Sequence, residues 1–312
     1  MRSCIIATRG SQLALWQANH IKDALLALEP DLHIELSIIH TRGDKIQDVP
    51  LAQVGGKGLF VKEIEEALLE GRADLAVHSI KDVPMVLPKG LTLGCVPRRE
   101  SCRDCLVSER YASLDALPKG AKVGTSSLRR QAQLLALRPD LDIQTLRGNV
   151  DTRLRKMREG QYDAIVLATA GLKRLNLSAT HMCELDEDAF VPAVGQGALG
   201  IECRADDAAI LNLVGRLEDH ETRVCVEAER AFLRELDGGC QVPIGAHAVL
   251  RGENLSLDGL VAETDGSTVY RKTMAAAAKR AEALGLELAR TLKAAGAADL
   301  LARLYGQEQS SL

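Results

Sequence analysis

The amino-acid sequence predicts an α/β protein with two similar doubly wound lobes and a small α+β C-terminal domain with an antiparallel sheet. Strand-like and helix-like segments alternate through the first two thirds of the 312 residues, and the order of the first third recurs in the second. Short strands around an Asp265-Gly266 turn predict the antiparallel sheet. We expect lobe one at residues 1–97 and 198–216, lobe two at 98–197, and the C-terminal domain at 217–312.

Lobe one begins with a predicted strand and helix. Ser11 is a suitable N-cap for the helix, and Pro30 is a suitable stop. Apolar periodicity gives the elements of this lobe as a strand at 4–8, a helix from Ser11 to about Leu28, a strand at 32–38, a helix at 61–69 and a strand at 75–77.

Lobe two repeats this plan, and some short sequence segments of lobe one recur in it. Pro30-Asp31-Leu32 corresponds to Pro139-Asp140-Leu141, and Arg42-Gly43-Asp44 corresponds to Arg147-Gly148-Asn149. Because ligands of such proteins bind between similar lobes, we expect a ligand cleft there, with residues 194–198 (VGQGA) as a hinge. The predicted elements are a strand at 122–125, a helix capped by Ser127 and ending at Leu137, a strand at 141–146, a helix at 152–158 and a strand at 162–169.

The C-terminal domain contains Cys240 in a loop rich in glycine. Gly238 and Gly239 precede the thiol, and Pro243 and Gly245 follow it, so little side-chain bulk surrounds the sulfur. Such a loop can present a thiol to a cleft, although a free cysteine is more often a small buried hydrophobe. The other predicted elements are a helix at 221–236, strands at 246–250, 255–262 and 267–272, and alanine-rich helices from Ala278 onward.

The composition excludes several classes of partner. A net charge of −4 and an aromatic content of 3% argue against a nucleic-acid partner that stacks bases, and no apolar segment is long enough to span a membrane. The eight cysteines show no disulfide framework, and the N-terminal apolar run is too short for a signal peptide. These features predict a cytoplasmic protein with reduced thiols.

Residues 124–130 (GTSSLRR) contain the strongest candidate anion site. Hydroxyls and free backbone N–H groups at a strand-to-helix turn favour an anion, and arginine holds carboxylates at two points. A solvated helix start is the alternative. Further cations and a hydroxyl at the expected strand ends favour a ligand with many carboxylates or phosphates: Arg147, Arg153 and Arg174 in lobe two, with Arg9 and Ser11 in lobe one.

Three other motifs are candidates for a nucleotide, catalytic or metal site. Residues 55–58 (GGKG) lack the preceding glycine and the following Ser/Thr of a P-loop, so they do not predict a nucleotide site. Asp82, beside Lys81 at the end of a strand, is a candidate acid/base or counter-charge to a cationic intermediate, or else a turn cap. Cys102 and Cys105 form half a zinc site without a second pair of ligands, so thiols in a linker, and no metal, are expected.

Taken together, the motifs of this chain resemble the porphobilinogen deaminase (hydroxymethylbilane synthase) family over nearly its whole length. The resemblance rests on long segments that share the family's residues: 6–9 (IATR), 13–18 (LALWQA), 41–44 (TRGD), 54–63 (VGGKGLFVKE), 76–84 (AVHSIKDVP), 124–130 (GTSSLRR), 146–150 (LRGNV), 170–175 (AGLKRL), 192–197 (PAVGQG) and the Cys240 loop.

The resemblance implies lobes of the periplasmic-binding-protein type and a dipyrromethane cofactor held by a thioether to Cys240. It implies a transferase that builds this primer, adds four porphobilinogen units head to tail with loss of ammonia, and releases the linear tetrapyrrole hydroxymethylbilane. It also implies a monomer whose product passes to uroporphyrinogen-III synthase in haem biosynthesis. Each pyrrole carries an acetate and a propionate, which agrees with the many arginines.

By the same resemblance, Asp82 is the expected catalytic residue, which stabilises the cationic azafulvene formed on deamination. The residues expected to contact the cofactor are Asp44, Lys81, Thr125, Ser127, Arg129, Arg130 and Gly171. Those expected to hold the substrate are Arg9, Ser11, Gln17, Arg147, Arg153, Arg174 and Gln196, and the expected mobile loop contains Lys57 and Phe60. The chain departs from the family at residues 101–105 (SCRDC), where Asp-Pro-Arg-Asp-Ala is expected.

The competing hypothesis is a two-lobed anion-binding protein without catalysis. It explains the lobes and the arginines, but it leaves Cys240 unexplained, and such binding proteins are usually secreted.

Overall fold

The structure is a computed structural model, and it describes residues 3–41, 61–238 and 242–309. The described chain forms two compact units. Unit 1 contains residues 3–41, 61–100 and 197–223, and unit 2 contains residues 101–196, 224–238 and 242–309.

Strands and helices alternate as the sequence predicts. The strands are β1 (Ser3–Thr8), β2 (His33–Ile38), β3 (Leu75–Ser79), β4 (Leu91–Cys95), β5 (Asp104–Ser108), β6 (Lys122–Gly124), β7 (Asp142–Gln144), β8 (Ala164–Ala168), β9 (His181–Glu184), β10 (Leu199–Arg204), β11 (Ile244–Arg251), β12 (Asn254–Ala262) and β13 (Val269–Ala277). The helices are α1 (Gln12–Leu28), α2 (Lys62–Leu69), α3 (Leu128–Leu137), α4 (Val150–Arg158), α5 (Thr169–Arg174), α6 (Ala208–Gly215), α7 (His220–Glu235), α8 (Ala281–Leu292) and α9 (Ala298–Gln309).

Unit 1 is built on a five-stranded sheet with the strand order β2-β1-β3-β10-β4. β1 pairs in parallel with β2 and β3, whereas β10 pairs antiparallel with β3 and β4. Successive residues of a strand point to opposite faces, so Ile6 packs with Ile21 and Leu25 of α1, while Ala7 packs with Ile64 of α2. Helices therefore cover both faces of the sheet, as predicted for a doubly wound lobe.

Unit 2 contains a second five-stranded sheet, with the order β7-β6-β8-β5-β9. β6 pairs in parallel with β7 and β8, and β5 pairs antiparallel with β8 and β9. Leu134 of α3 packs on one face and Leu154 of α4 on the other. This is the pairing pattern of unit 1, so the predicted repeat of the two lobes is confirmed.

The C-terminal sheet is antiparallel, with the order β11-β12-β13, as predicted. Phe232 of α7, Leu257 of β12 and Leu288 of α8 lie in its core. At Gly285 a Cβ atom would lie 2.3 Å from the carbonyl oxygen of Ala228, so the close approach of α7 and α8 requires glycine.

A small apolar cluster connects this sheet to the five-stranded sheet of unit 2. It consists of Ala132 on α3, Val191, and Leu260 and Ala262 on β12. The contact explains why the two sheets belong to one compact unit, and the domain boundaries expected from the sequence stay a prediction.

Several elements were not predicted: β4, β5, β9, β10, α5 and α6. The interpretation of Cys105 as a linker thiol was wrong, because Cys105 lies in β5 and is 1% exposed. The strand begins with a buried charge at Asp104, which interrupts the apolar pattern by which a buried strand is recognised. Within the described residues, none of the helices has the length and apolar character needed to cross a membrane.

Candidate functional site

The candidate site residues of unit 1 lie at the carboxyl ends of β1 and β3. Arg9 and Ser11 follow β1, and the Ser11 side chain caps α1 by accepting the Ala14 N–H at 3.3 Å. After β3, a short 3₁₀ turn (Ile80–Asp82) contains Lys81 and Asp82. Parallel strands bring their carboxyl ends to one edge of a sheet, so the two loops are neighbours.

A pocket forms at this edge, and the carboxylate of Asp82 is exposed to solvent there. Buried Gln17 of α1 donates a hydrogen bond from Nε2 to Ser79 Oγ at 2.8 Å, which joins the helix to the end of β3. The polar residues that line the pocket are Arg9, Ser11, Gln17, His78, Ser79 and Asp82. Four of the predicted substrate residues or catalytic candidates of unit 1 therefore surround one cavity: Arg9, Ser11, Gln17 and Asp82.

Beside the pocket lies a group of buried ionisable side chains that sequence reasoning missed. His78 Nε2 lies 3.0 Å from Glu202 Oε2, and both side chains are almost fully buried. Burial, together with the charge of Glu202, raises the pKa of Glu65 to about 6, while His78 opposes the rise. The available signal in the sequence was a polar residue inside an apolar segment, His78 in β3 and Glu202 in β10.

In unit 2 the predicted anion site is a turn organised by its own hydroxyls. Thr125 Oγ1 accepts the Ser127 N–H at 3.1 Å, and Ser127 Oγ accepts the Arg130 N–H at 3.4 Å as the N-cap of α3. Ser126 Oγ donates to the Leu146 carbonyl oxygen at 2.6 Å. These bonds fix the start of α3 beside the loop that follows β7.

The two arginines of this turn are buried against Asp104, a residue that the sequence did not single out. Asp104 Oδ1 accepts from Arg130 Nε at 2.9 Å and Nη2 at 2.7 Å, and Asp104 Oδ2 lies 2.8 Å from Arg129 Nη2. Gln196 Nε2 also donates to Oδ1, at 3.0 Å. Asp104, Arg129 and Arg130 are 0%, 4% and 6% exposed, so the group is an internal network with a net positive charge.

The electrostatics of this network follow from its charges. Burial raises the pKa of the Asp104 carboxyl, but the charges of Arg129 and Arg130 outweigh burial and lower it to about 2. Burial also lowers the pKa of Arg129, while Asp104 opposes that change. The network therefore holds an ionised carboxylate and two cations in a fixed arrangement.

Further cations lie at the ends of the neighbouring strands. Arg147 follows β7, Arg153 lies on α4, and Gly171 and Arg174 lie on α5, directly after β8. Arg153 Nε donates to the Gly148 carbonyl oxygen at 2.7 Å. Burial, together with the charges of Arg130 and Arg147, lowers the pKa of Arg153 to about 10.

This cluster fits a ligand with several carboxylates. The charges of Arg130, Arg147 and Arg153 repel one another, and the buried Nε of Arg147 has no hydrogen-bond partner among the described residues. A polycarboxylate supplies acceptors and negative charge to such a site. A pyrrole cofactor or substrate that bears acetate and propionate groups has this chemistry.

Some predicted residues cannot be placed in this geometry. Asp44, Lys57, Phe60 and Cys240 lie outside the described residues. Among the residues that the structure describes, no cluster of three or more His, Cys, Asp or Glu side chains is arranged to hold a metal ion. Cys102, one of the two cysteines of the half zinc site, has its Sγ 3.3 Å from His247 Nε2.

The two α/β sheets, with hydroxyl and cationic side chains at the ends of their parallel strands, define a class of proteins that bind anionic small molecules. Within this class, family models identify the chain. The model described as "Porphobilinogen deaminase, dipyromethane cofactor binding domain" matches residues 4–212, and the model of the porphobilinogen deaminase C-terminal domain matches residues 223–294. The chain belongs to the porphobilinogen deaminase family, as predicted.

Individual relatives agree with this assignment. A porphobilinogen deaminase of Nitratidesulfovibrio vulgaris (strain Hildenborough) is 61% identical over 308 residues, which cover 98% of both chains. A porphobilinogen deaminase of Syntrophotalea carbinolica is 58% identical over 299 residues, which cover 96% of this chain and 95% of the relative.

Solved structures of extracellular binding proteins show a slight likeness to this chain. A probable amino-acid ABC transporter extracellular-binding protein of Bacillus subtilis has 10% identity and a TM-score of 0.42, covering 70% of this chain and 90% of the other. A likeness at this level adds nothing about fold or function.

Proposed function

We propose that this chain is a deaminating transferase of tetrapyrrole and haem biosynthesis. It condenses four porphobilinogen molecules head to tail into hydroxymethylbilane, with loss of ammonia at each condensation. A covalently bound dipyrromethane supplies the primer to which the first porphobilinogen is joined. The observation that carries this proposal is the cluster of Arg130, Arg147 and Arg153, in a chain matched by the family over nearly its full length.

Residues of unit 2 bind the carboxylates of the cofactor and of the growing chain. Thr125, Ser127, Arg129, Arg130 and Gly171 contact the cofactor in this proposal, and their positions after β6 and β8 support it. The substrate residues of this unit are Arg147, Arg153, Arg174 and Gln196. Asp104 keeps the two arginines of α3 oriented, because it accepts hydrogen bonds from a guanidinium edge.

Residues of unit 1 bind substrate and carry the chemistry. Arg9, Ser11 and Gln17 hold the substrate, and Lys81 contacts the cofactor. Asp82 acts on the reacting pyrrole: when ammonia leaves the aminomethyl group, the ring becomes cationic, and a carboxylate beside the ring nitrogen stabilises that charge. The exposure of Asp82 to the pocket supports this role.

Four further assignments concern residues outside the described part of the chain. Cys240 holds the cofactor by a thioether, Asp44 contacts it, and Lys57 and Phe60 belong to a loop that moves during elongation. The glycine-rich sequence around Cys240 supports the attachment, since it leaves the sulfur accessible to a bulky group.

The cellular setting is also part of the proposal. The eight cysteines are scattered along the sequence without a disulfide framework, which agrees with the reducing cytoplasm. We place the protein there as a monomer that passes its product to uroporphyrinogen-III synthase, with neither a nucleic-acid nor a membrane partner.

One experiment separates this function from simple anion binding. Ehrlich's reagent should colour the purified protein, and its intact mass should exceed the sequence mass by the mass of a dipyrromethane. Cys240→Ser should remove the colour, the excess mass and the release of ammonia from porphobilinogen. An active wild-type protein at the bare sequence mass contradicts the proposal.

A further inference from the structure

Glu229 is a buried carboxylate of unit 2 to which the proposed function assigns no role. It lies in the middle of α7 and is 0% exposed. Its Oε2 accepts the Gly195 N–H at 2.6 Å, and its Oε1 accepts the Ala248 N–H at 2.9 Å. A buried carboxylate is costly unless hydrogen-bond donors face it, and here both oxygens receive backbone donors from distant parts of the chain.

Three segments meet at Glu229, and two of them flank the Cys240 loop in sequence. The helix that carries Glu229, α7, ends at Glu235 and leads into the loop, while β11, which contains Ala248, leaves it. Gly195 stands beside Gln196 in a turn where Gly195 and Gly197 have φ values of 67° and 87°. One side chain thus ties both ends of the cysteine loop to the turn of a proposed substrate residue.

A second set of contacts fixes the same junction. The Ala246 N–H donates to the Pro192 carbonyl oxygen at 3.1 Å. A Cβ atom at Gly245 would lie 3.0 Å from that oxygen and 3.2 Å from both Arg129 Cδ and Val191 Cγ1. The beginning of β11 therefore lies directly on the segment 191–195 and on a proposed cofactor residue.

From its other side, the segment 191–195 is held by α3. Arg129 Nη1 and Gln133 Nε2 donate to the Val191 carbonyl oxygen at 2.7 Å and 3.0 Å, and the Val191 N–H donates to Gln133 Oε1 at 2.7 Å. The cysteine-bearing part of unit 2 and its arginine-bearing part are thus joined through one hydrogen-bonded segment, with Glu229 at its end.

We propose that Glu229 is a positioning residue for cofactor attachment, which fixes the helix and the strand on either side of Cys240, α7 and β11, relative to Arg129 and Gln196. The proposal rests on the proposed attachment of the cofactor to Cys240. Thioether formation replaces the C–N bond of an aminomethyl group with a C–S bond, and the amine leaves as ammonia with the thiol proton. This exchange requires the thiol to stay at the place where the pyrrole carboxylates are bound, which a fixed junction provides.

The test uses Glu229→Gln in the full chain, prepared without cofactor and then incubated with porphobilinogen. The amide replaces one acceptor oxygen with an NH₂ group that faces a backbone N–H. We expect the rate of mass gain at Cys240 to fall about tenfold or more, which corresponds to the loss of one hydrogen bond to a charged group. Hydrogen exchange at the amides of Gly195 and Ala248 should accelerate by a similar factor.

One further variant controls for general destabilisation, and another disturbs the same junction without a change of charge. In Asp163→Asn the lost carboxylate accepts a backbone N–H of Lys122 at 2.8 Å, elsewhere in the same unit, and loading should stay within about twofold of the wild type. Gly245→Ala changes no charge but pushes β11 away from Pro192, and it should slow loading as Glu229→Gln does.

The outcomes separate this inference from the proposed function. If the wild type gains no mass, or Cys240→Ser still gains it, the attachment itself is wrong. If the wild type loads at Cys240 and folded Glu229→Gln loads equally fast, whatever its melting temperature, the positioning role is wrong. If Glu229→Gln does not fold, two other results decide. The inference is overturned if Gly245→Ala loads at the normal rate. It is also overturned if the Gly195 and Ala248 amides of the wild type show no protection from hydrogen exchange.

Discussion

Asp104 and Arg130 form a buried two-point ion pair, in which one carboxylate oxygen accepts from Nε at 2.9 Å and from Nη2 at 2.7 Å. The same carboxylate faces Arg129. The pair joins β5, an antiparallel strand of the sheet, to the first turn of α3, where the proposed cofactor site begins. The positions of the cationic side chains therefore depend on a strand that contributes no ligand of its own.

The first prediction concerns Asp104→Asn. It leaves two buried arginines without a carboxylate, and breaking a buried pair in this way costs about 3–5 kcal/mol of unfolding free energy. Asp140→Asn removes the partner of Arg138, which is more exposed, and should cost much less. Denaturant titrations of the two variants measure the difference. Equal small losses would show that the network is not a stabilising core.

Asp104 also predicts a loss of stability in acid. Its pKa falls from the ordinary 3.8 to about 2 on folding, so the stabilisation is complete above pH 3.8 and disappears as the pH falls towards 2. The amount is roughly 2 kcal/mol. Unfolding free energies of the wild type measured across this window should fall more steeply than those of any Asp104→Asn protein that folds.

The second prediction concerns the arginines that face the ligand. Arg147→Leu and Arg153→Leu should each lose charge-assisted bonds worth roughly 1.5–3 kcal/mol, seen as a fall in kcat/KM for porphobilinogen. The melting temperature should hold, because Arg153 is disfavoured by burial and by its neighbouring charges. Arg155→Leu on the same helix is the control, since Arg155 is exposed and pairs with Glu159. Near-normal kcat/KM in both test variants would place these side chains outside the site.

The third prediction is that Asp82→Asn keeps the fold and the bound cofactor but lowers the rate of ammonia release by about 10²–10⁴-fold. Asparagine has nearly the same shape but lacks the negative charge. The turn is closed by the Val83 N–H and the Ile80 carbonyl oxygen at 3.1 Å, so the carboxylate is not needed to close it. Ammonia release and melting temperature should be measured on one sample. Normal release with a lowered melting temperature would make Asp82 a turn cap.

The fourth prediction concerns Glu65, whose folded pKa is about 6 against an ordinary value of 4.5. The folded state binds more protons than the unfolded state between these values, so unfolding free energy falls as the pH rises through 4.5 to 6. The loss is about 2 kcal/mol. Glu65→Gln should remove this slope, while Glu66→Gln should keep most of it, because Glu66 is exposed and its charge contributes least to the rise. A slope that persists in Glu65→Gln would assign the titration to another group.

Local signals in the sequence determined much of the fold. Ser11 and Ser127 were predicted as N-caps, and each accepts the backbone N–H three residues later. The period of apolar residues predicted α1 and α3 with their ends at Leu28 and Leu137. These predictions succeeded because capping and amphipathic periodicity depend only on residues within one or two turns.

Strands that lack a local signal were missed. β5 begins with Asp104, a charged residue that does not match the apolar pattern of a buried strand. Only the structure shows that Arg129 and Arg130 pair with it. β10 follows the glycine-rich turn at Gly195 and Gly197, so the sequence suggested only a crossing segment there. Tertiary pairing, rather than propensity, places both strands in their sheets.

The sequence by itself determined the family, the repeated α/β plan and the chemical types of the site residues, because long motifs and strand-end positions are properties of contiguous residues. Only the tertiary structure decided which polar groups face each other: Asp104 with Arg130, His78 with Glu202, and Glu229 with the Gly195 and Ala248 amides. These partners are separated in the chain by other secondary elements. Strand order brings them together, and burial then makes each pairing obligatory because an unpaired charge away from water is costly.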